Sequence, residues 1–227
     1  MKPSLRLALP PGPLRLGVLS AEGVTVRPSS GDYLGRIRAD IEPLLASHWI
    51  YPDALRKGIR SLLKAYGFHP SGRNRPASEY LAKDLLDRRE FKPINNVVDI
   101  NNHLSLISHL PISVVDLDKA GDSLGVRVGG ERENYVFNAE GQVHDLENLL
   151  VVTRENGRSE PIASPVKDSQ GTKVFAETKR IFVAIYTSQT VTPVDELRGW
   201  LDRFSALLRS EAGATEIWSD VIDADAA

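Results

Sequence analysis

The sequence predicts an α+β fold, a mixed or antiparallel sheet core carrying helices, on three observations. Apolar residues fall at helical spacing through much of the first third, short β-type runs take over from Ile112, and an amphipathic helix begins at Thr192-Pro193. After a strand-like start around Leu16 to Val26, residues 53–66 place Leu55, Ile59, Leu62, Leu63 and Tyr66 on one helical face. Arg56, Lys57, Arg60 and Lys64 occupy the other face, and Gly67 stops the turn. Ser78 to Arg88 predicts a further helix, entered from the loop Gly72-Arg73-Asn74-Arg75-Pro76. The strands expected next are Ile112 to Leu117, Leu124 to Val128, Tyr135 to Phe137, Leu149 to Thr153 and Arg180 to Thr187, separated by turns rich in Gly, Asn and Asp. Arg180-Ile-Phe-Val-Ala-Ile-Tyr is the most apolar and reads as a central strand. In the last helix Leu197, Trp200, Leu201, Phe204, Leu207 and Leu208 form the buried stripe. The expected organisation is one domain over 1–210, with a helical N-terminal portion at about 31–92 and a sheet-rich core at about 93–188. Residues 211–227 hold five acids and no base and are expected to form an acidic flexible tail.

Composition narrows the function classes. The 227 residues include no Cys and one Met, and 28 Lys plus Arg stand against 30 Asp plus Glu, for a net charge of -2. A chain without Cys has no disulfide framework, thiol nucleophile or thiolate zinc site, which suits a cytoplasmic address. Lys2 and Arg6 precede Leu7-Ala8-Leu9 in the manner of an export signal, but Pro10, Pro11, Pro13 and Arg15 interrupt the apolar run. No stretch reaches the length of a membrane span, so no membrane partner is expected. The near-neutral charge argues against indiscriminate coating of nucleic acid, yet Arg56 to Lys92 holds ten bases against four acids, a local excess of +6.

Two motifs invite chemistry. Gly121-Asp122-Ser123-Leu124-Gly125 spells both the nucleophile-elbow pattern and the Gly-Asp-Ser-Leu esterase motif. An elbow needs a helix after its serine, whereas Val126-Arg127-Val128 alternates like a strand, and a turn between strands is the expectation. Asp99 and His103 lie four residues apart and would share a face of a helix over 97–108, either as an acid-oriented base or as a surface pair. The five histidines lack metal-site spacing and no phosphate-binding glycine loop is present, so neither a metal nor a cofactor is expected.

Four stretches, taken in order, go beyond generic pattern. They are Arg75-Pro-Ala-Ser-Glu-Tyr-Leu-Ala-Lys-Asp-Leu-Leu, Pro93-Ile-Asn-Asn-Val-Val-Asp-Ile-Asn-Asn-His-Leu-Ser-Leu, Leu110-Pro-Ile-Ser-Val-Val-Asp-Leu-Asp-Lys, and Asp168-Ser-Gln-Gly-Thr-Lys-Val with Glu177-Thr-Lys. Together they resemble the editing domain of the phenylalanyl-tRNA synthetase beta subunit, and most closely its freestanding relatives, from about Gly31 to Ser188. The resemblance implies that fold and a trans-acting aminoacyl-tRNA deacylase with tRNA as partner. Relatives that remove canavanine from arginine tRNA make an arginine-analogue substrate the first expectation. An activated aminoacyl ester needs an oriented water rather than a protein nucleophile.

Where the synthetase domain has a histidine after the Leu-Pro turn, this chain has Ser113, so water activation by that histidine is unavailable. The nearest counterparts of the acidic editing residue are Asp168 and Gln170. The resemblance implies a catalytic set of Asp168, Ser169 and Thr172, with Asn96, Asp99, Asn102, Ser105, Ser113, Asp116 and Asp118 at or around the substrate. Asp116 and Asp118 alternate along a strand, so both carboxylates face one way. Facing the pocket they suit a guanidino group; facing solvent, or holding Arg127 or Lys119, they say nothing of substrate. Arg56, Arg60, Lys64, Arg73 and Arg75 either form a solvated face or track tRNA phosphates. The rival reading is a noncatalytic tRNA or amino-acid binding module that kept the fold.

Overall fold

The structure, a computed structural model, describes residues 2–46 and 51–224, Arg73 through its backbone only. One sheet has the order β10-β2-β9-β3, built from β2 (Leu14–Glu22), β3 (Ile112–Asp116), β9 (Arg180–Ser188) and β10 (Glu216–Asp223), all antiparallel. Alternation splits its side chains between two cores. Leu19, Ala21, Ile181, Val183 and Ile185 face the helices α1 (Gly31–Ala46), α4 (Asn96–Ser108) and α6 (Val194–Ala212). Leu14, Leu16, Val18, Phe182, Ala184 and Tyr186 face the second sheet. Burial on both faces explains why β9 reads as a continuous apolar run rather than an alternating one.

The second sheet runs β1-β4-β7-β8, from β1 (Ser4–Ala8), β4 (Ser123–Val128), β7 (Leu150–Glu155) and β8 (Ser159–Ala163). β1 pairs with β4 in parallel and the remaining pairs are antiparallel. β1 is the segment that mimics an export signal. Its leucines at positions 5 and 7 pack on the second core, and Pro10, Pro11 and Pro13 end it because proline supplies no ladder N–H. Ser123 opens β4 after the turn at Gly121 (φ 81°), so a strand and not a helix follows the serine and the nucleophile-elbow reading has no structural basis. A ribbon of β5 (Asn134–Val136) and β6 (Val143–Asp145) lies beside this sheet; β6, like β8, is too short and polar to stand out in sequence. The helices α2 (Asp53–Ala65) and α3 (Ala77–Arg88) occupy the predicted spans, and α5 (Leu117–Ala120) is a single turn. Among the described residues no helix is long and apolar enough to cross a membrane.

The expectation of a flexible tail from 211 is corrected by β10. α6 continues to Ala212, Gly213 turns the chain in the left-handed region (φ 71°), and all eight residues of β10 pair with β2. Isoleucine, tryptophan and valine decide this rather than charge: Ile217 and Val221 pack on one core, Trp218 and Ile222 on the other. Arg15 closes the far end with a bidentate pair to Asp223, both bonds 2.7 Å.

The start of α4 is anchored by two asparagines. Asn95 caps the helix by accepting from the Val98 N–H at 2.9 Å. Asn96 is buried; its Oδ1 accepts from the Arg27 N–H at 3.0 Å and its Nδ2 donates to the Thr25 and Glu211 carbonyls, each at 2.9 Å. One carboxamide thus joins α4 to the β2–α1 connection and to the end of α6. Asn96→Ala should lower the unfolding free energy in urea by about 3 kcal/mol, because three buried backbone groups lose their partner. A Cβ added at Gly129 would lie 1.9 Å from the Leu146 carbonyl oxygen, so Gly129→Ala should cost about 2 kcal/mol in the same assay.

Candidate active site

The loop leaving β8 is held rigid by Ser164. Its hydroxyl donates to the Lys167 carbonyl at 2.7 Å and accepts from the Lys167 N–H at 3.1 Å, a local turn that delivers Asp168 to a fixed position. The Ser113 hydroxyl, in the middle of β3, donates to Asp168 Oδ1 at 2.6 Å. It also lies 3.2 Å from the Tyr186 hydroxyl on β9 and 3.1 Å from the Ser164 carbonyl. One hydroxyl carries one proton, so these contacts are alternatives. With Asp168 ionised, Ser113 donates to the carboxylate and Tyr186 donates to Ser113. With Asp168 protonated, the acid donates to Ser113 and Ser113 turns to the Ser164 carbonyl. The group is therefore satisfied in both charge states.

Burial pushes the Asp168 carboxyl up to about 7. The bond from Ser113, the N–H groups of Ser164 and Val114 and the positive charge of Lys173 oppose that rise without cancelling it. Burial pushes the Tyr186 phenol up as well, with the Asp168 charge adding to it.

Asp168 stands where two cavities meet. One, of about 500 Å³, lies between the α4 N-terminal half, residues 26–28 and residues 173–176, with Val26, Val98, Val114, Val174 and Phe175 among its walls. The other, of about 560 Å³, lies between α3, β3 and the β5–β6 ribbon, with Tyr80, Leu81, Ile112, Phe137 and Val166 in its walls. Asn101, Asn102 and Asp168 border both. Arg27 and Lys173 edge the first and Lys167 the second, and Asp168 is the one carboxylate at either among the described residues. Apolar walls with a few convergent polar groups are the usual form of a small-molecule site.

Of the residues singled out in sequence, Ser113, Asp168 and Asn102 come together here. Ser169 is next to Asp168, but its hydroxyl accepts from the Gly171 N–H at the 3₁₀ turn Gln170–Thr172. Thr172 is buried and donates to the Ile162 carbonyl. Asn96 is the structural clamp described above. Asp99 is also buried, accepting from the Ser29 hydroxyl at 2.6 Å and the Ile94 N–H at 2.7 Å; burial pushes its carboxyl up. It does not orient His103, which is bonded to Asp40 at 3.0 Å and Tyr33 at 3.2 Å. Ser105 donates to the Leu110 carbonyl at 2.7 Å. These residues serve the fold because the cleft face of α4 is 95, 98, 101 and 102, one step round the helix from 96, 99 and 105. Asn101 was therefore missed, although it adjoins Asn102, which the sequence did single out.

Asp116 and Asp118 do not converge on a pocket. Asp116 caps α5 through the Asp118 and Lys119 N–H groups, accepts from Thr178 at 2.6 Å and pairs with Lys119 at 3.1 Å. Asp118 accepts from the Lys179 and Arg180 N–H groups and from the Arg180 guanidinium at 2.8 Å. A helical turn starting at Leu117 breaks the strand alternation that would have aligned them. Arg127 pairs instead with Glu133.

The basic face is partly compensated. Arg56 pairs with Asp53, Lys83 with Asp87 and Arg88 with Asp84, and Arg60 makes a fork to Glu79 at 2.6 and 2.7 Å that ties α2 to α3. Lys64 is exposed, and Arg75 donates to the Gly72 carbonyl within its loop. The Arg73 side chain lies outside the described residues.

Comparison with known proteins places these features in a family. The B3/4 domain family matches residues 68–193, which include α3, α4, β3, Asn101, Ser113 and Asp168. Similar curated proteins are the phenylalanine–tRNA ligase beta subunits of Gloeobacter violaceus, 34% identical over 110 residues, and of Fusobacterium nucleatum, 26% identical over 155 residues. These alignments take in 47% and 59% of this chain but 13% and 19% of those proteins, so the chain spans less than a fifth of the relatives it matches. The crystal structure of an N-terminal fragment of the phenylalanyl-tRNA synthetase beta-subunit from Pyrococcus horikoshii aligns over 97% of this chain and 55% of that one, at 10% identity and a TM-score of 0.46. With more than half its length matched by the family, the chain belongs to the B3/4 domain proteins.

Proposed function

We propose that this chain is a trans-acting aminoacyl-tRNA deacylase that cleaves the ester of a mischarged tRNA at Asp168. The observation that carries the reading is a carboxyl pushed up to about 7 at the junction of two apolar cavities, where no other carboxylate among the described residues competes for the role. The kinship with phenylalanine–tRNA ligase beta subunits supports tRNA as the partner. A general base titrating near neutrality takes a proton from water efficiently at physiological pH. Ionised Asp168 accepts that proton as the water oxygen attacks the ester carbonyl, and the resulting acid returns it to the departing ribose oxygen. Ser113 and Tyr186 hold the carboxylate in place. The Lys173 ammonium and the Asn102 carboxamide, which border the same cavity, are the donors available to a developing oxyanion. Loss of the histidine expected at position 113 therefore leaves a route to water activation.

The apolar walls, edged by Arg27, Lys167 and Lys173, suit an uncharged aminoacyl side chain better than a guanidino one. The canavanyl expectation came from the resemblance to freestanding relatives; the support that Asp116 and Asp118 would have added is absent, since both are engaged elsewhere, and it now stands second. For the acceptor stem, Lys64 and Arg75 are the candidates least tied to acidic partners, whereas Arg60 is a structural tie.

Amino-acid release from a panel of charged tRNAs, including tyrosyl-tRNA of phenylalanine specificity and canavanyl-tRNA of arginine specificity, should show one mischarged species turned over selectively. No release from any of them would leave the noncatalytic binding module as the better reading. Asp168→Asn should lower kcat about 100-fold or more with little change in KM, and should abolish a rise in rate centred near pH 7. The same variant tests the linkage. A carboxyl raised from 3.8 to about 7 contributes stability that is complete below its unfolded value and is lost as pH climbs through the folded one. Between those values the melting temperature of Asp168→Asn should rise relative to wild type as pH increases. Replacing Lys64 and Arg75 with Ala should raise KM for tRNA and lessen its salt dependence by about two counterions.

A further inference from the structure

A buried side-chain acceptor on a residue that borders the cleft is left without a donor among the described residues. Asn101 is 6% exposed and borders both cavities, and its Oδ1 has no hydrogen-bond partner among the described residues. The assignment of oxygen and nitrogen is determined by the surroundings. Nδ2 faces two acceptors, the Ile112 carbonyl at 3.4 Å and Asn102 Oδ1 at 3.3 Å, so exchanging the two ends would set oxygen against oxygen twice. A buried acceptor without a donor destabilises the protein that carries it, and such an atom at the wall of a cavity is best explained by a donor that arrives with a ligand. Asp168, an anion when ionised, borders the same two cavities, with Arg27 and Lys173 at the edge of one and Lys167 at the edge of the other. An acceptor oxygen and a carboxylate that border the same space are complementary to a small cation with several N–H groups.

We infer that Asn101 reads the α-ammonium group of the aminoacyl ester, its Oδ1 accepting one N–H while the Asp168 carboxylate complements the charge. This rests on the deacylase reading for the identity of the ligand, and it assigns Asn101 to positioning and specificity rather than to the chemistry. The consequence is a substrate class: esters with a free α-amine are accepted, and N-acylated or α-hydroxy esters are refused. A primary ammonium fits better than a guanidinium here, because the planar fork of the latter takes both oxygens of a carboxylate and Asp168 Oδ1 is already held by Ser113. A terminal ribose hydroxyl could also donate to Asn101, but it would gain nothing from the neighbouring negative charge.

The test uses the full-length protein and a stable analogue, adenosine bearing an aminoacyl group through a 3′-amide, compared with its N-acetyl and α-hydroxy counterparts. Wild type should bind the free-amine analogue at least about tenfold more tightly than either counterpart, the range of a hydrogen bond to a charged group. Asn101→Leu, close in volume and without an acceptor, should bind all three alike while keeping the wild-type unfolding midpoint. If Asn101→Leu does not fold, Asn101→Ala serves the same comparison. Equal binding of the three analogues by wild type, or an undiminished preference in the variants, overturns the inference. An equal loss of affinity for all three in the variants, reproduced in wild type by removing the 2′-hydroxyl, assigns Asn101 to the ribose and overturns it as well. Because the analogue is not hydrolysed, a preference that depends on Asn101 in a protein that releases no amino acid from charged tRNA would sink the deacylase reading and leave amine recognition standing.

Discussion

Strands β2 and β9 are buried on both faces, and that constraint organises the rest of the molecule. A strand with two apolar faces must be covered twice, by α1, α4 and α6 on one side and by the β1-β4-β7-β8 sheet on the other. The two cores this creates are separated only by the thickness of the sheet. A β-bridge partner of β9 therefore has side chains alternating between them, as β3 does with Val114 toward the helices and Val115 toward the second sheet. Ser113 inherits the second-sheet side from this alternation. There it meets Tyr186 from β9 and the loop that leaves β8.

Placing a carboxyl at such a junction has a cost that the structure answers locally. Asp168 loses most of its hydration, and the hydrogen bond from Ser113 at 2.6 Å offsets part of the loss without restoring an ordinary carboxylate. The chain of Tyr186, Ser113 and Asp168 has a consistent donor order for either charge state of the acid. A proton can thus be held or released at Asp168 without leaving a buried polar group stranded. The contrast with Asn101 is informative, since its buried oxygen has no partner among the described residues.

Charges outside the cleft are spent mainly on holding elements together. Arg60 with Glu79 joins α2 to α3, Arg15 with Asp223 fastens β10 to β2, and Arg180 binds Asp118 and Asp122 at the β3–β4 turn. Such pairs are half-exposed and each adds modestly to stability. Their larger effect is to fix which elements meet, since each joins segments far apart in sequence.

Periodicity was enough to determined most helices and the central strands, because a 3.6-residue apolar stripe and a run such as Ile181 to Tyr186 are properties of contiguous sequence. It also showed that a strand and not a helix follows Ser123, whereas Ser113 and Asp168 were singled out by the family resemblance. Tertiary structure decided what contiguous sequence cannot carry. The acidic segment 216–223 became a strand because β2 offered an open edge and two cores to its apolar pairs. Asn96 and Asp99 turned out to satisfy distant backbone and hydroxyl groups and Ser105 a nearby carbonyl, while Asn101, one position further round α4, faced the cleft. Which side of a polar helix looks into a cavity depends on what packs against the other sides, and for Asn96 and Asp99 those neighbours come from residues about 70 positions away.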